Sequence, residues 1–357
     1  MTDKLIPKIH YELTLDFFKS KLGMDLIELF NMIHTTAGDN PTFQQFGNAC
    51  IALDSIPFLT QDKYKNAIFF NVFFHMYHFY YGYNKIYYIT PAMAFKLGNI
   101  TLNVDAYFLK APFREIFVKV DPGLYFVEDF DGSHAINGLY IHLREITDTE
   151  KELRVMAVAM LKNNEKYPFN DSIFYFKVLI GQGKIQDSVH KYIKDQLDIN
   201  KEDMKKTGGD KNMGHVEELF NFALNILLYT TSKDPDIRTQ MPRDFQTEIG
   251  RKKSSKKQNK LIHRAQNSCS FPTLIVGSTI KDAGESQIVQ NAGGMHKWRL
   301  SQRVYVAGHW RVQWYGSEAQ GTKHSELIPI EPYLKGPEFS EVMHSVHQIG
   351  RAHGKTA

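Results

Sequence analysis

The sequence predicts an α+β fold, with a helical N-terminal part and a buried central helix packed around antiparallel strands from the middle and C-terminal regions. Three observations carry that expectation. Residues 11–35 repeat apolar side chains at three- and four-residue spacing, the period of one helix face. Residues 85–179 break into short β-branched and aromatic runs separated by turn residues. Residues 216–229 are apolar around most of the helical circumference, the pattern of a buried helix.

Composition supports a large core. The 357 residues are 43% hydrophobic, 13% aromatic and 23% charged, which places the chain among globular proteins and leaves room for one large domain or two ordinary ones. The 25 Phe and 18 Tyr bring large buried areas. Two cysteines, Cys50 and Cys269, are too few for a disulfide framework and have no zinc-ligand spacing, so a reducing cytoplasm fits. The first residues carry acids and lack a signal-peptide core, and no apolar stretch reaches about 18 residues, so neither export nor a membrane partner is expected. Charge is uneven. Residues 241–357 hold 17 Lys+Arg against 9 Asp+Glu, whereas the rest of the chain is net acidic, so an anionic partner would meet the C-terminal part first.

The elements follow in order. Within residues 11–35, Gly23 offers a break into two helices. Gly38-Asp39-Asn40-Pro41 is a turn, and residues 42–52 are free of strong helix breakers. Thr60 is a candidate cap for a helix running to Tyr81. His75 and His78 share one face of it. Without a third ligand they read as the polar edge of an aromatic core helix rather than as a metal pair, since a catalytic zinc needs three protein ligands. Strands are expected at 85–90, 101–108, 115–120, 124–128, 138–143, 153–161 and 172–179, most simply as an antiparallel sheet or small barrel. Helix returns at 185–197, followed by a polar loop at 205–214. Residues 251–264 carry seven basic residues and no acid, including Lys252, Lys253, Lys256 and Lys257, and are expected to be a mobile loop. A short strand is expected at 273–276. The domain expectation is a helical and sheet region at 1–232, a basic linker at 233–264 and a basic, aromatic β region with a terminal helix at 265–357.

Residues 297–337 carry the most specific chemistry. All three tryptophans lie here: Trp298, Trp310 and Trp314. Alternation from Trp298 to Val306 predicts a strand whose one face carries Arg299, Ser301, Arg303 and Tyr305. Gly308 breaks it, and residues 309–315 would pair with it as a second strand. That strand places His309, Arg311, Gln313 and Tyr315 on the outer face and Trp310, Val312 and Trp314 on the core side. Residues 327–330 form a further candidate strand. Arginines with a tyrosine on one sheet face can stack on bases and neutralise phosphates. The expected contact set for nucleic acid is therefore Arg299, Arg303, Tyr305, His309, Arg311, Gln313 and Lys335, assisted by Lys252, Lys253, Lys256 and Lys257. An ordinary structural sheet has the same pattern, because arginine stems also cover tryptophan rings.

The phrase Val306-x-Gly308-His309-Trp310-Arg311-x-Gln313-x-x-Gly316, followed by Ile330-x-Pro332-Tyr333-x-Lys335-Gly336-Pro337, resembles a C-terminal block in uncharacterised proteins of bacteria and their mobile elements. The resemblance carries no known activity. It points to a plasmid or phage setting, in which nucleic-acid handling is a common task.

Three functions of different class follow. The first is a cytoplasmic nucleic-acid-binding protein. The second is a metal-independent nuclease or phosphodiesterase, with His309 as acid/base and Arg311 and Lys335 stabilising phosphoryl charge. The third is a protein-interaction factor, such as an inhibitor or a toxin-type partner, anchored by the aromatic C-terminal block. No cofactor is expected. His344, His347 and His353 read as a solvated tail rather than a metal site, and Gly181-Gln182-Gly183-Lys184 lacks phosphate-loop spacing.

Overall fold

A computed structural model describes residues 10–22, 25–53, 63–121, 124–129, 132–159, 173–199, 209–240, 250–251, 254–258, 273–279, 303–306, 308–330, 333–335 and 342–343. Four helices come first: α1 (His10–Leu22), α2 (Leu26–Ala37), α3 (Phe43–Ala52) and α4 (Lys63–Tyr81). Local chemistry starts two of them. The Asp25 carboxylate accepts from the Ile27 amide at 2.8 Å. Thr42 and Gln45 form a reciprocal capping box.

A large sheet follows, built from β1 (Lys85–Ile89), β3 (Glu115–Lys119), β5 (Gly132–Thr147), β6 (Glu150–Ala159), β7 (Ile173–Ile180), β8 (Ile237–Gln240) and β9 (Thr273–Val276). Its order is β7-β6-β5-β3-β1-β9-β8, and β4 (Phe126–Asp129) pairs with β5. The expected antiparallel sheet is in fact mixed, because β1 runs parallel to both neighbours, β3 and β9. A parallel neighbour needs a crossover rather than a hairpin. Residues 90–114 supply it with α5 (Pro91–Gly98), a two-residue β2 (Ile100–Thr101) and a 3-10 turn at Ala106–Phe108. The expected strand at 101–108 is thus mostly irregular. Helix α5 has ordinary signals, with Thr90 capping Met93 and proline in its first turn, but its eight residues are too few to show a clear period.

Helices cover both faces of this sheet. Ile116, Val118, Leu139, Ile141, Leu153 and Val155 face a cluster with α5, α6 (Ile185–Ile199) and α7 (Gly209–Thr230). Phe117, Tyr140, Met156 and Val158 face the aromatic cluster of the N-terminal helices, with Phe18, Phe30, Phe46, Phe74, Tyr77 and Phe79. The period-two alternation therefore feeds two cores. Each large apolar side chain so buried contributes about 1.5–3 kcal/mol. Gly138 is needed for the close fit, since a Cβ there would come within 2.3 Å of the Phe117 ring. Helix α7 starts at Gly209, inside the stretch expected as loop, and β8 falls within residues 233–264.

The C-terminal part adds β10 (Arg303–Val306), β11 (Gly308–Tyr315), β12 (His324–Ile330), β13 (Tyr333–Lys335) and β14 (Val342–Met343). Strands β10 and β11 do not pair with each other as expected. β10 lies between β13 and β14, whereas β11 lies between β12 and β2. Where a terminal helix was expected, Val342–Met343 is a strand parallel to β10. His344, His347 and His353 lie outside the described residues.

Candidate interaction site beside the C-terminal hairpin

Strands β11 and β12 form a hairpin with register running from His309 opposite Ile330 to Tyr315 opposite His324. Its loop is closed by short bonds. The Ser317 amide donates to Thr322 Oγ1 at 3.0 Å, and the Thr322 amide donates to the Ser317 carbonyl at 3.0 Å. Gly316 adopts φ 78°, and a Cβ there would lie 2.2 Å from the Thr322 carbonyl oxygen.

One end of the hairpin is anchored in the core. Trp310 is buried, and its indole Nε1 donates to Asn225 Oδ1 on α7 at 2.8 Å. Asn225 Nδ2 donates in turn to the carbonyls of Leu97 and Ile100, each at 2.9 Å. Leu327, which shares this sheet face with Trp310, is buried too.

The other end projects. Trp314, expected on the core side by alternation, is 59% exposed, because the hairpin runs past the core before it turns. Lys323 lies over the Trp314 ring at 5.4 Å and bonds Glu318 at 2.9 Å. Tyr315 stacks with His324, and Lys233 sits 4.5 Å from the Tyr315 centroid. The Lys233 ammonium lies 2.9 Å from Glu326 Oε2, and this close carboxylate holds its pKa above the usual lysine range.

Between the hairpin, the end of α7 and the 3-10 turn lies a cleft of about 300 Å³, bounded by Phe108, Lys110, Leu228, Lys233, Ser325 and Leu327 among others. Buried Lys151 holds the turn in place, donating to the Ala106 carbonyl at 3.3 Å and to the Leu109 carbonyl. Burial lowers the pKa of this amine. Tyr107, on the same turn, is 75% exposed with Lys110 above its ring. The cleft is thus lined by apolar Phe108, Leu228 and Leu327, by the polar Thr231, Ser232, Ser325 and Glu326, and by the amines of Lys110 and Lys233.

Of the expected contact residues, His309, Arg311 and Gln313 share one face of β11, with Arg311 exposed and the other two half-buried. Arg303 and Tyr305 lie on β10 and Lys335 on β13, in a different sheet from His309. Lys256 and Lys257 are exposed in a short helical turn at 255–258. Arg299, Lys252 and Lys253 lie outside the described residues, as do Trp298 and Cys269. The pairing brings β11 beside β12 and β2, so Arg303 on β10 is not brought beside His309 and Arg311 by strand pairing. The cleft residues Phe108, Lys110 and Lys233 come from distant segments, and no sequence spacing marks them.

The pair His75 and His78 has company. Glu115 Oε1 lies 2.9 Å from His75 Nδ1, and Oε2 lies 3.1 Å from His142 Nδ1 but out of hydrogen-bond alignment. The His78 ring lies 4.4 Å from that of His142. All four are at most 1% exposed. Burial, then nearby positive charge, depresses the histidines, His142 to about 3. Burial also raises Glu115 well above the usual carboxylate range. Both flanking histidines turn Nδ1 to one carboxylate, so the cluster stitches α4 to β3 and β5. Among the described residues no group of three or more histidine, cysteine or acidic side chains is placed to hold a metal ion. Among them, too, no helix is long and apolar enough to cross a membrane.

The described residues form an α+β fold with an exposed aromatic hairpin beside a mixed cleft. The solved structure described as "Crystal structure of AcrVA2" shares the fold, with a TM-score of 0.50 and 14% identity over 91% of this chain and 99% of that one. No curated protein sequence matches. Residues 87–336 match the model of the AcrVA2-like family, described as the anti-CRISPR type V subtype A2 family, and the chain belongs to that family. Membership fits the mobile-element setting expected from the C-terminal block. The matched span covers the large sheet, α7, the cleft and the hairpin.

Proposed function

We propose that this protein is an inhibitor of a type V CRISPR system that works by binding a protein component of it, with the cleft and the projecting aromatic hairpin as the contact surface. The observation that carries the reading is the exposed indole of Trp314, held at the tip of an ordered hairpin within an anti-CRISPR family chain. Leaving a tryptophan in water forgoes its burial, and tryptophan, tyrosine and arginine are the side chains that dominate binding energy when an interface buries them. Trp314, Tyr315, Tyr107 and Arg311 supply three aromatics and one arginine on or near the hairpin. Membership supports this protein-partner reading over direct nucleic-acid contact as the main activity.

The test is an interference assay in cells carrying a type V CRISPR system. The wild-type chain should restore survival of a targeted plasmid, and Trp314→Ala should reduce that protection at equal protein level. Equal protection by the variant would remove the hairpin from the contact surface.

A further inference from the structure

We infer that the outer edge of β12 is a strand-addition site, which takes an extended segment of the protein partner alongside Ser325, Glu326 and Leu327. The inference rests on the protein-partner reading above and gives that partner a chemistry. Strand β12 is at the edge of its sheet, with β11 on one side and no described strand on the other. The register sets Pro329 opposite Trp310. Proline has no N–H to give, and an edge strand tolerates it where its nitrogen points away from the neighbour. Antiparallel ladders alternate inward- and outward-bonding residues. Pro329 outward therefore turns the backbone groups of Leu327 and Ser325 outward too, while Glu326 and Ile328 bond to β11. Pro329 blunts one end of this edge and leaves Ser325 to Leu327 able to pair.

The cleft opens on that same stretch. Its apolar wall is Phe108, Leu228 and Leu327, and Thr231, Ser232 and Glu326 line the rest with its amines. Its two amines differ. Lys233 is committed to Glu326, whereas Lys110 has no carboxylate within 4.0 Å among the described residues. In an extended chain, side chains two apart share a face. The segment that fits pairs its backbone with Ser325 and Leu327, and places an apolar side chain in the cleft with an acidic one two residues away at Lys110. Backbone pairing gives affinity and the two side chains give selectivity.

Backbone hydrogen exchange and binding on the full-length chain, alone and with its captured partner, test this. Binding should slow exchange of the Ser325 and Leu327 amides. Ser325→Pro removes one outward N–H without touching the ladder to β11, and should weaken binding about tenfold, the equivalent of one well-made hydrogen bond. Ser325→Ala should bind like wild type, and Lys110→Glu should also weaken binding about tenfold. Unchanged exchange at both amides overturns strand addition, and it decides the matter even if Ser325→Pro fails to fold. If Trp314→Ala abolishes binding while Ser325→Pro binds normally, strand addition fails and the protein-partner reading stands. If the wild-type chain captures no protein, both fail.

Discussion

The indole of Trp310 donates to the side-chain oxygen of Asn225, 85 residues earlier in the chain, inside a core that neither residue leaves. The amide of Asn225 is spent on two backbone carbonyls at the end of α5 and at β2. One asparagine therefore joins the C-terminal hairpin, α7 and the crossover from β1 to β3. Its partners are buried, so removing it takes a hydrogen bond from three polar groups at once. Asn225→Leu should destabilise the fold by roughly 3–5 kcal/mol, well beyond the loss of one hydrogen bond. Trp310→Phe, which keeps most of the apolar area and strands only the Asn225 oxygen, should cost about 1–3 kcal/mol. Urea unfolding of both variants checks the order; a Trp310→Phe loss larger than that of Asn225→Leu would contradict it.

Stability should fall with acid because of the buried cluster on α4, β3 and β5. His75, His78 and His142 are held below their unfolded value, so their contribution is present above about pH 6.5 and is lost as pH falls toward their folded values. Glu115 is raised, so its contribution is present at low pH and is lost as pH rises through its folded value. Three sites oppose one. Unfolding midpoints should drop between pH 7.5 and 5.5, by up to roughly 1.4 kcal/mol per pH unit for each excess proton. His78→Phe keeps an aromatic ring against His142 and removes one titrating site, so its stability should depend less steeply on pH. Parallel profiles for variant and wild type would show that His78 does not titrate with unfolding.

The turn that carries Phe108 and Lys110 depends on a buried amine. Lys151 is 8% exposed and serves the carbonyls of Ala106 and Leu109. Lys151→Met keeps the stem and removes the donors, leaving the Leu109 carbonyl without its lysine partner and the Ala106 carbonyl with the Leu109 amide alone. It should cost about 1–3 kcal/mol and speed amide exchange in residues 105–110 more than in the large sheet. Uniform change across the chain would argue that the amine supports the fold as a whole rather than the cleft wall.

Much of this architecture is legible in the residues, and the rest is hidden for identifiable reasons. The N-terminal helices show through their 3.6-residue period, and β3, β5 and β6 through alternation that feeds two cores. The parallel pairing of β1 is not legible, because its partner β9 lies some 180 residues downstream and no turn chemistry joins them. Alternation assigned Trp310 correctly to the core and failed for Trp314, since pattern gives a face but not how far the core extends beneath it. His75 and His78 were visible as a helical pair. Glu115 and His142 complete the group from two strands, which spacing cannot show. The C-terminal block lines a cleft together with Phe108, Lys110 and Lys233, which come from distant segments that no spacing links to it.

Trp314 should be dispensable for folding and necessary for recognition. Its ring is mostly in water, so Trp314→Ala should change stability by no more than about 0.5 kcal/mol. At an interface centre the same truncation typically costs about 2 kcal/mol or more of binding. Thermal unfolding of the variant against wild type checks the first half, and a drop of several degrees would contradict it.

The most direct measurement is affinity capture with the full-length chain from cells that express a type V CRISPR system, with and without nuclease treatment of the lysate. A CRISPR protein should stay bound after nuclease treatment and be lost with Trp314→Ala. Capture that disappears on nuclease treatment, or that Trp314→Ala leaves unchanged, would contradict it.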